Sequence, residues 1–389
     1  MPAFLPEGGG PARGAVADAA DFAACTRLIR DGSKSFHAAS LLLPRQVRPA
    51  AHALYAFCRL SDDAADTLGT DRAAALARLS GRLDAVYAGQ AMDHPVDRAL
   101  QAVVRRYDLP RAAFDGLLEG LSWDLSPRRY QTLADLHGYA ARVAGTVGVL
   151  MAALMDVRDS QRLARACDLG VAMQLTNIAR DVGEDARLGR LYLPVAWLEE
   201  EGIDPDAFLA SPQFTPQLAR VTARLLAAAD SLYRRADVGV ADLPAGCRPA
   251  IAAASRIYAS IGHRLARTGC DSVSVRTVVP LGEKLGHLAG AILWSQRVRT
   301  GEAVASLLGA PPLAATRFLV EAAARPGGAP VDPVPATLLP WEVADRQVEW
   351  VMDLFQSMGE RDRRNSGRPL AAADFGLSGL QGRAFSGGR

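Results

Sequence analysis

Two stretches of this chain each place aspartates one helical turn apart on a segment that is otherwise apolar, and few folds accommodate both. In YAFCRLSDDAADTLG, Tyr55 to Gly69, a helix puts Tyr55, Arg59, Asp62 and Asp66 at i, i+4, i+7 and i+11, one narrow stripe. Phe57, Cys58 and Leu60 fall on other sides. In GVAMQLTNIARDVGEDARLGRLYLP, Gly170 to Pro194, Gln174, Asn177, Asp181 and Asp185 form a second stripe, while Met173, Leu175, Ile178 and Val182 point elsewhere. Carboxylates so spaced repel by roughly 0.2–0.5 kcal/mol when exposed, and by far more when partly dried. A lone D-x-x-x-D reads as the solvated acidic end of a helix. Two copies on apolar helices predict seams that face one another across a cavity holding metal ions.

The surrounding chain agrees with a helical setting. From Asp21 to Gly309 it is rich in Ala, Leu and Arg, with helical periodicity and few alternating β-branched runs, which predicts an all-α domain. Breakers fall at helix-length intervals: LLLPRQVRP, YDLPRAAF, WDLSPRRY, LGRLYLPVAW and DLPAGCRP. A formal net charge of +2 over 389 residues leaves no basic footprint for nucleic acid, so no such partner is expected. The cysteines at 25, 58, 167, 247 and 270 lie too far apart for a C-x-x-C site and read as reduced core thiols. Six scattered histidines form no H-x-x-x-H pattern, so a histidine metal site is not expected. The opening MPAFLPEGGGPARGAVADAAD lacks the layout of a secretory signal, and no uncharged run of 18 apolar residues predicts a membrane span.

Domain boundaries are expected as a flexible N-terminus at 1–20, the all-α domain at 21–309, a Pro/Gly-rich linker region at 310–340, and an amphipathic helix with a disordered tail at 341–389. The helix WEVADRQVEWVMDLFQSMGE carries Val348, Val351, Met352 and Phe355 on one face. It can pack on the main domain or rest on a membrane surface; Glu342, Asp345, Glu349 and Asp353 favour packing over contact with an anionic bilayer.

Carboxylates with an amide such as Asn177 suit a hard cation, Mg²⁺ or Mn²⁺, which shares its coordination with substrate phosphates. Donors for phosphate lie nearby: Arg59, Arg180, and the box Ser33, Lys34, Ser35, Phe36, which also reads as a simple helix cap. In YAARVAGTVGVLMAALM, Ala144, Gly145 and Gly148 allow close approach of either a second helix or a ligand chain, and Tyr139 is a candidate cavity wall. Phosphoryl transfer would require a Walker loop or kinase motifs, which are absent. Ionisation of an allylic diphosphate needs only metals, cations and a dry pocket. Phe36, Tyr55, Tyr139 and Tyr258 would offer aromatic faces to the carbocation.

SKSF, ALYAFCRLSDDAAD, VAGTVG, QLTNIARDVGEDARLGRLYLP and RIYASIGHRLARTGCD together resemble the squalene/phytoene synthase family of head-to-head prenyl synthases, its bacterial phytoene-forming members most closely. The resemblance covers roughly Asp21 to Gly290, and its most specific run is Gln174 to Pro194. It implies a single isoprenoid-synthase-type helical domain around a central cavity. It also implies condensation of two geranylgeranyl diphosphates, through a cyclopropylcarbinyl (prephytoene) diphosphate, to phytoene, the first step of carotenoid biosynthesis. By matching motifs, Asp62, Asp66, Asp181 and Asp185 would hold Mg²⁺, with Asn177 a further candidate ligand. Ser33, Lys34, Ser35, Arg59, Gln174 and Arg180 would bind diphosphate, with Arg276 and Lys284 as candidate late contacts. Tyr139 and Tyr258 would line the reaction centre, and GRLYLP, with Arg190 and Tyr192, would form a flap. The final proton would go to Tyr139 or to the released diphosphate. Gly32 stands before the SKSF box where some relatives carry histidine, so no contact is transferred to it.

The same resemblance leaves two alternatives: this chemistry on farnesyl diphosphate, giving dehydrosqualene, squalene or presqualene diphosphate, and a non-catalytic synthase-like scaffold. No nicotinamide cofactor is expected, since no G-x-G-x-x-G follows a strand. The expected setting is cytoplasmic, peripheral on the inner face of the cell membrane, with a downstream carotenoid desaturase as candidate partner.

Overall fold

The computed structural model describes residues 16–66, 72–297 and 309–325; the side chains at 62–66, 72 and 296–297 lie outside that description. Regular structure among the described residues is entirely helical. α1 (Ala19–Gly32) opens on a reciprocal cap in which Asp18 accepts from Asp21 N at 2.9 Å and Asp21 accepts from Asp18 N at 3.2 Å. α2 (Lys34–Ser40), α3 (Arg48–Asp66), α4 (Arg72–Tyr87), α5 (Pro95–Tyr107) and α6 (Arg111–Trp123) follow. α7 (Leu133–Ala140) continues through a π-helical turn, Ala141–Gly145, directly into α8 (Thr146–Leu154). α9 (Ser160–Arg187) is 28 residues long. Short α10 (Val195–Glu200) and α11 (Pro205–Ala210) lead to α12 (Pro216–Ala241), α13 (Arg248–Arg267), α14 (Leu281–Arg297) and α15 (Arg317–Ala323). All five breaker stretches mark joints between helices, where proline starts a helix without forfeiting a hydrogen bond or turns the chain.

α9 is the axis of the molecule. It packs along α12 over a longer contact than any other helix pair and also touches α8, α13 and α15. Two apolar clusters meet on it. One joins α1, α3 to α6, α8 and the first half of α9; the other joins α7, the second half of α9, residues 191–198, α12 and the end of α13. α8 approaches α9 closely because Gly148 has no side chain: a Cβ there would lie 2.2 Å from the Ala166 carbonyl oxygen. Helix packing, not ligand contact, explains that glycine. All five cysteines are free, and all but the half-buried Cys58 are buried.

Residues 309–325 correct the expected domain boundary. Asp168 is fully buried between Arg165, 3.1 Å away, and Arg235, 2.9 Å away. The same guanidinium groups donate onward, Arg165 Nη2 to the Ala310 carbonyl at 3.0 Å and Arg235 Nη2 to the Pro311 carbonyl at 2.8 Å. α15 then buries Leu319 and Val320 against α6, α8 and α9. The helical body therefore runs on to Arg325, whose N–H donates to the Arg158 carbonyl at 3.2 Å. The helix expected at 341–360 lies outside the described residues.

Gly148→Ala should destabilise the fold by about 1–3 kcal/mol, the usual cost of forcing volume into a packed contact. Urea unfolding followed by circular dichroism reads this as a lower midpoint; an unchanged midpoint contradicts the α8–α9 contact.

Candidate active site

The second aspartate stripe has the form its spacing predicts. Gln174, Asn177, Asp181 and Asp185 are each half-buried on α9, while Leu175, Thr176, Ile178, Ala179 and Val182 between them are buried. On α3, Tyr55 and Arg59 are half-buried beside buried Leu54, Ala56 and Phe57. Asp62 and Asp66 lie in the last turns of α3, and their side chains are outside the described residues.

The two carboxylates of α9 differ sharply. Asp181 is gripped by Arg180, whose Nε donates to Oδ1 at 2.8 Å, and by Arg276, whose Nε donates to the same oxygen at 2.9 Å. Burial alone would raise the Asp181 carboxyl, but the hydrogen bonds and charge of Arg180, then of Arg276, hold it below the ordinary carboxylate value. Asp185 lacks such compensation. Burial first, then the neighbouring Asp181 charge, push its carboxyl up to about 8, with Arg190 opposing only in part. Arg276 reaches Asp181 because the loop before α14 lies directly on α9 at Gly183, whose N–H donates to the Ser272 carbonyl at 3.0 Å. A Cβ on Gly183 would stand 2.6 Å from Val273 Cα.

Around Arg180 and Arg276 opens a pocket that Ser35, Tyr258, Ile261 and Lys284 also line. Phe36 stacks on Tyr258 with ring centroids 5.1 Å apart and meets Tyr55 edge-on at 6.4 Å, so α2 links α3 to α13 through aromatic rings, and Tyr258 lines the pocket beside Arg180 of α9. The SKSF box divides its work. Ser33 is buried and caps α2 by accepting from Phe36 N at 3.2 Å, Lys34 is exposed, and Ser35 faces the pocket. Gln174 accepts from Asn177 Nδ2 at 3.4 Å.

Tyr139 and Tyr192 stand together, rings stacked at 5.0 Å, with Tyr130 against both at 5.5 and 6.0 Å. Each hydroxyl donates at 2.8 Å to one oxygen of Asp124, Tyr139 to Oδ2 and Tyr192 to Oδ1. Burial raises all three phenols above their ordinary range, so they stay protonated, and Tyr139 and Tyr192 are the two that donate to Asp124. The GRLYLP segment is tied down by backbone as well: Arg190 N–H donates to the Asp185 carbonyl at 2.9 Å, and Val195 N–H to the Tyr130 carbonyl at 2.8 Å. Sequence reasoning missed Asp124 and Tyr130; both sit in WDLSPRRY, which carried only a breaker signal.

The donor set suits a divalent cation. Asn177 Oδ1 is buried without a hydrogen-bond partner among the described residues, one turn before Asp181. Asp185, a second turn on, has its carboxyl raised by burial and by the Asp181 charge, which Arg190 offsets only in part. Oxygen donors of this kind favour Mg²⁺ or Mn²⁺. Among the described residues no three His, Cys, Asp or Glu side chains converge as a metal cluster, so further ligands would have to come from α3 or from substrate.

A model of the squalene/phytoene synthase family matches residues 29–283. A phytoene synthase of Rhodobacter capsulatus is 53% identical over 276 residues, covering 70% of this chain and 81% of that protein. A phytoene synthase of Cereibacter sphaeroides is 48% identical over 340 residues, covering 85% and 96%. Among solved structures, a dehydrosqualene synthase in complex with ligand superimposes with a TM-score of 0.66 at 31% identity, covering 72% of this chain and 97% of that one. A squalene synthase from Alicyclobacillus acidocaldarius gives 0.60 at 30% identity, covering 64% and 94%.

Because the folded-state carboxyl of Asp185 is raised, its protonated form contributes stability that is fully present below 3.8 and is lost as pH rises to about 8. A divalent cation competes with that proton. Mg²⁺ should therefore raise the thermal midpoint more at pH 8.5 than at pH 6.5, and Asp185→Asn should remove the difference. Equal shifts at both pH values contradict this reading of Asp185.

Proposed function

Because the chain belongs to the squalene/phytoene synthase family, we infer that it condenses two geranylgeranyl diphosphates head to head, through a cyclopropylcarbinyl diphosphate, to phytoene, releasing diphosphate. It is a prenyltransferase. The observation that carries this reading is the carboxylate and amide stripe of α9 next to Arg180 and Arg276, which line one pocket with Ser35, Lys284, Tyr258, Ile257 and Ile261. The more similar relatives bear the name phytoene synthase, which favours the twenty-carbon substrate over farnesyl diphosphate. A scaffold without chemistry would not need Asp181, Asp185 and Asn177 in one half-buried stripe.

In this reading Arg180 and Arg276 turn from Asp181 to the diphosphate oxygens, which leaves Asp181, Asp185 and Asn177 as cation ligands together with Asp62 and Asp66. Mg²⁺ or Mn²⁺ bound there would neutralise the charge that builds on the leaving diphosphate. Ser35, Lys34, Arg59, Gln174 and Lys284 complete the diphosphate contacts. Ser33 acts behind them by capping α2. Phe36, Tyr55 and Tyr258 offer their faces to the carbocation, and Tyr139 and Tyr192 close the wall on the flap side. Exclusion of water from this pocket keeps the cation from capture until the skeleton has rearranged.

No helix among the described residues is long and apolar enough to cross a membrane. Exposed Leu188, Val275 and Val278 lie next to the flap and to the pocket-lining Arg276. Apolar side chains beside cations at the mouth suit peripheral contact with an anionic bilayer, from which a greasy substrate enters and into which the hydrocarbon leaves.

Purified protein with Mg²⁺ and geranylgeranyl diphosphate in detergent, without NADPH, should yield a forty-carbon hydrocarbon with a triene centre. A thirty-carbon product from farnesyl diphosphate alone moves the assignment to the shorter substrate, and no product from either contradicts an enzymatic role. Asp62→Ala or Asp181→Ala should abolish turnover with helical circular dichroism retained; full activity in either contradicts the metal assignment.

A further inference from the structure

One carboxylate in this site has no place in either aspartate stripe. Asp124 follows the last residue of α6, and its two oxygens accept one hydroxyl each from Tyr139 at the end of α7 and Tyr192 in the flap, both at 2.8 Å. A single side chain thus ties together residues 15 and 68 positions away. It also sits near the metal stripe: its negative charge is felt at Asp185, and that of Asp185 is felt at Tyr192.

A phenol has one proton to donate and lone pairs with which to accept. The Tyr192 proton goes to Asp124, and the Tyr139 proton lies closer to Asp124, at 2.8 Å, than to the Tyr192 oxygen, at 3.5 Å, so both hydroxyls are held in fixed directions. Hydrogen bonds to a carboxylate are roughly twice as strong as those between neutral groups, so this carboxylate fixes the rings more firmly than a neutral acceptor would. The stack at 5.0 Å between Tyr139 and Tyr192 then holds the flap against α7.

We propose that Asp124 is a positioning residue of the condensation: by locking the Tyr139 and Tyr192 hydroxyls it keeps the tyrosine wall shut, so that water does not reach the carbocation before the hydrocarbon forms. This rests on the function inferred above.

The test uses the full chain with geranylgeranyl diphosphate and Mg²⁺, comparing wild type, Asp124→Asn, Tyr139→Phe/Tyr192→Phe and the triple variant. Asn offers one acceptor oxygen where Asp offers two, so one hydroxyl loses its anchor. Asp124→Asn should lower kcat by about 10- to 100-fold, the scale of a misplaced active-site group, with KM changed by less than about threefold. The fraction of product recovered as water-captured prenyl alcohols should rise. The triple variant should be no worse than the tyrosine pair, because Asp124 acts through those hydroxyls. In ligand-free protein, the tyrosine near-ultraviolet dichroism should weaken in Asp124→Asn while the far-ultraviolet helical signal is kept. Wild-type kcat and alcohol fraction in Asp124→Asn, or losses that multiply in the triple variant, overturn the proposal. If Asp124→Asn does not fold, Tyr192→Phe alone is read, and an unchanged alcohol fraction there overturns it. Silence of the wild type on both prenyl diphosphates contradicts the function itself, whereas an active wild type with an indifferent Asp124→Asn contradicts only the role of Asp124.

Discussion

A carboxylate one turn from another, on a helix whose remaining faces are buried, is costly until positive charge reaches it. α9 meets that cost for Asp181 by recruiting Arg180 from the position just before it and Arg276 from 95 residues away. Asp185 is compensated only in part by Arg190, and burial with the Asp181 charge raises its carboxyl to about 8. This imbalance organises the site. In the proposed function, the half of the stripe paired with guanidinium groups exchanges those partners for a diphosphate, and the half that only Arg190 opposes takes a cation.

The neighbouring structure serves that stripe. Gly183 lets the loop before α14 lie on α9, and so brings Arg276 into reach. Arg190 ties the flap to the end of α9 through the Asp185 carbonyl, and Tyr192 ties it to α7 through Asp124. Phe36 and Tyr258 build an aromatic bridge from α2 to α13, next to Arg180 and Tyr55.

What could be read in advance was what depends on neighbours along the chain. The stripes on α3 and α9 follow from the helical period, and the proline-bearing joints follow from local backbone limits; both lie within one or two turns of their own signal. Asp124 was invisible for the opposite reason. It occupies a stretch that reads as a helix end, and its task exists only because a hydroxyl 68 residues later folds against it. Tyr130 acquires its place in the same way, through rings at 139 and 192 that fold against it. The fate of residues 310–325 was misread because Pro and Gly suggested a linker, whereas Arg165 and Arg235 held donors for the Ala310 and Pro311 carbonyls. The π-helical turn at Ala141–Gly145 likewise left no mark in a periodicity of 3.6.

The most direct test of the paired stripes is crystallographic. Anomalous scattering from a crystal soaked with Mn²⁺ and a non-ionisable thiolo-diphosphate analogue would place the metal. Peaks bounded by Asn177, Asp181 and Asp185 of α9 on one side and by Asp62 and Asp66 of α3 on the other are the expected result, with Arg180 and Arg276 moved onto the diphosphate. A map with the analogue bound but no peak between the two helices, or with manganese held elsewhere, would contradict the shared cavity on which this reading of the site depends.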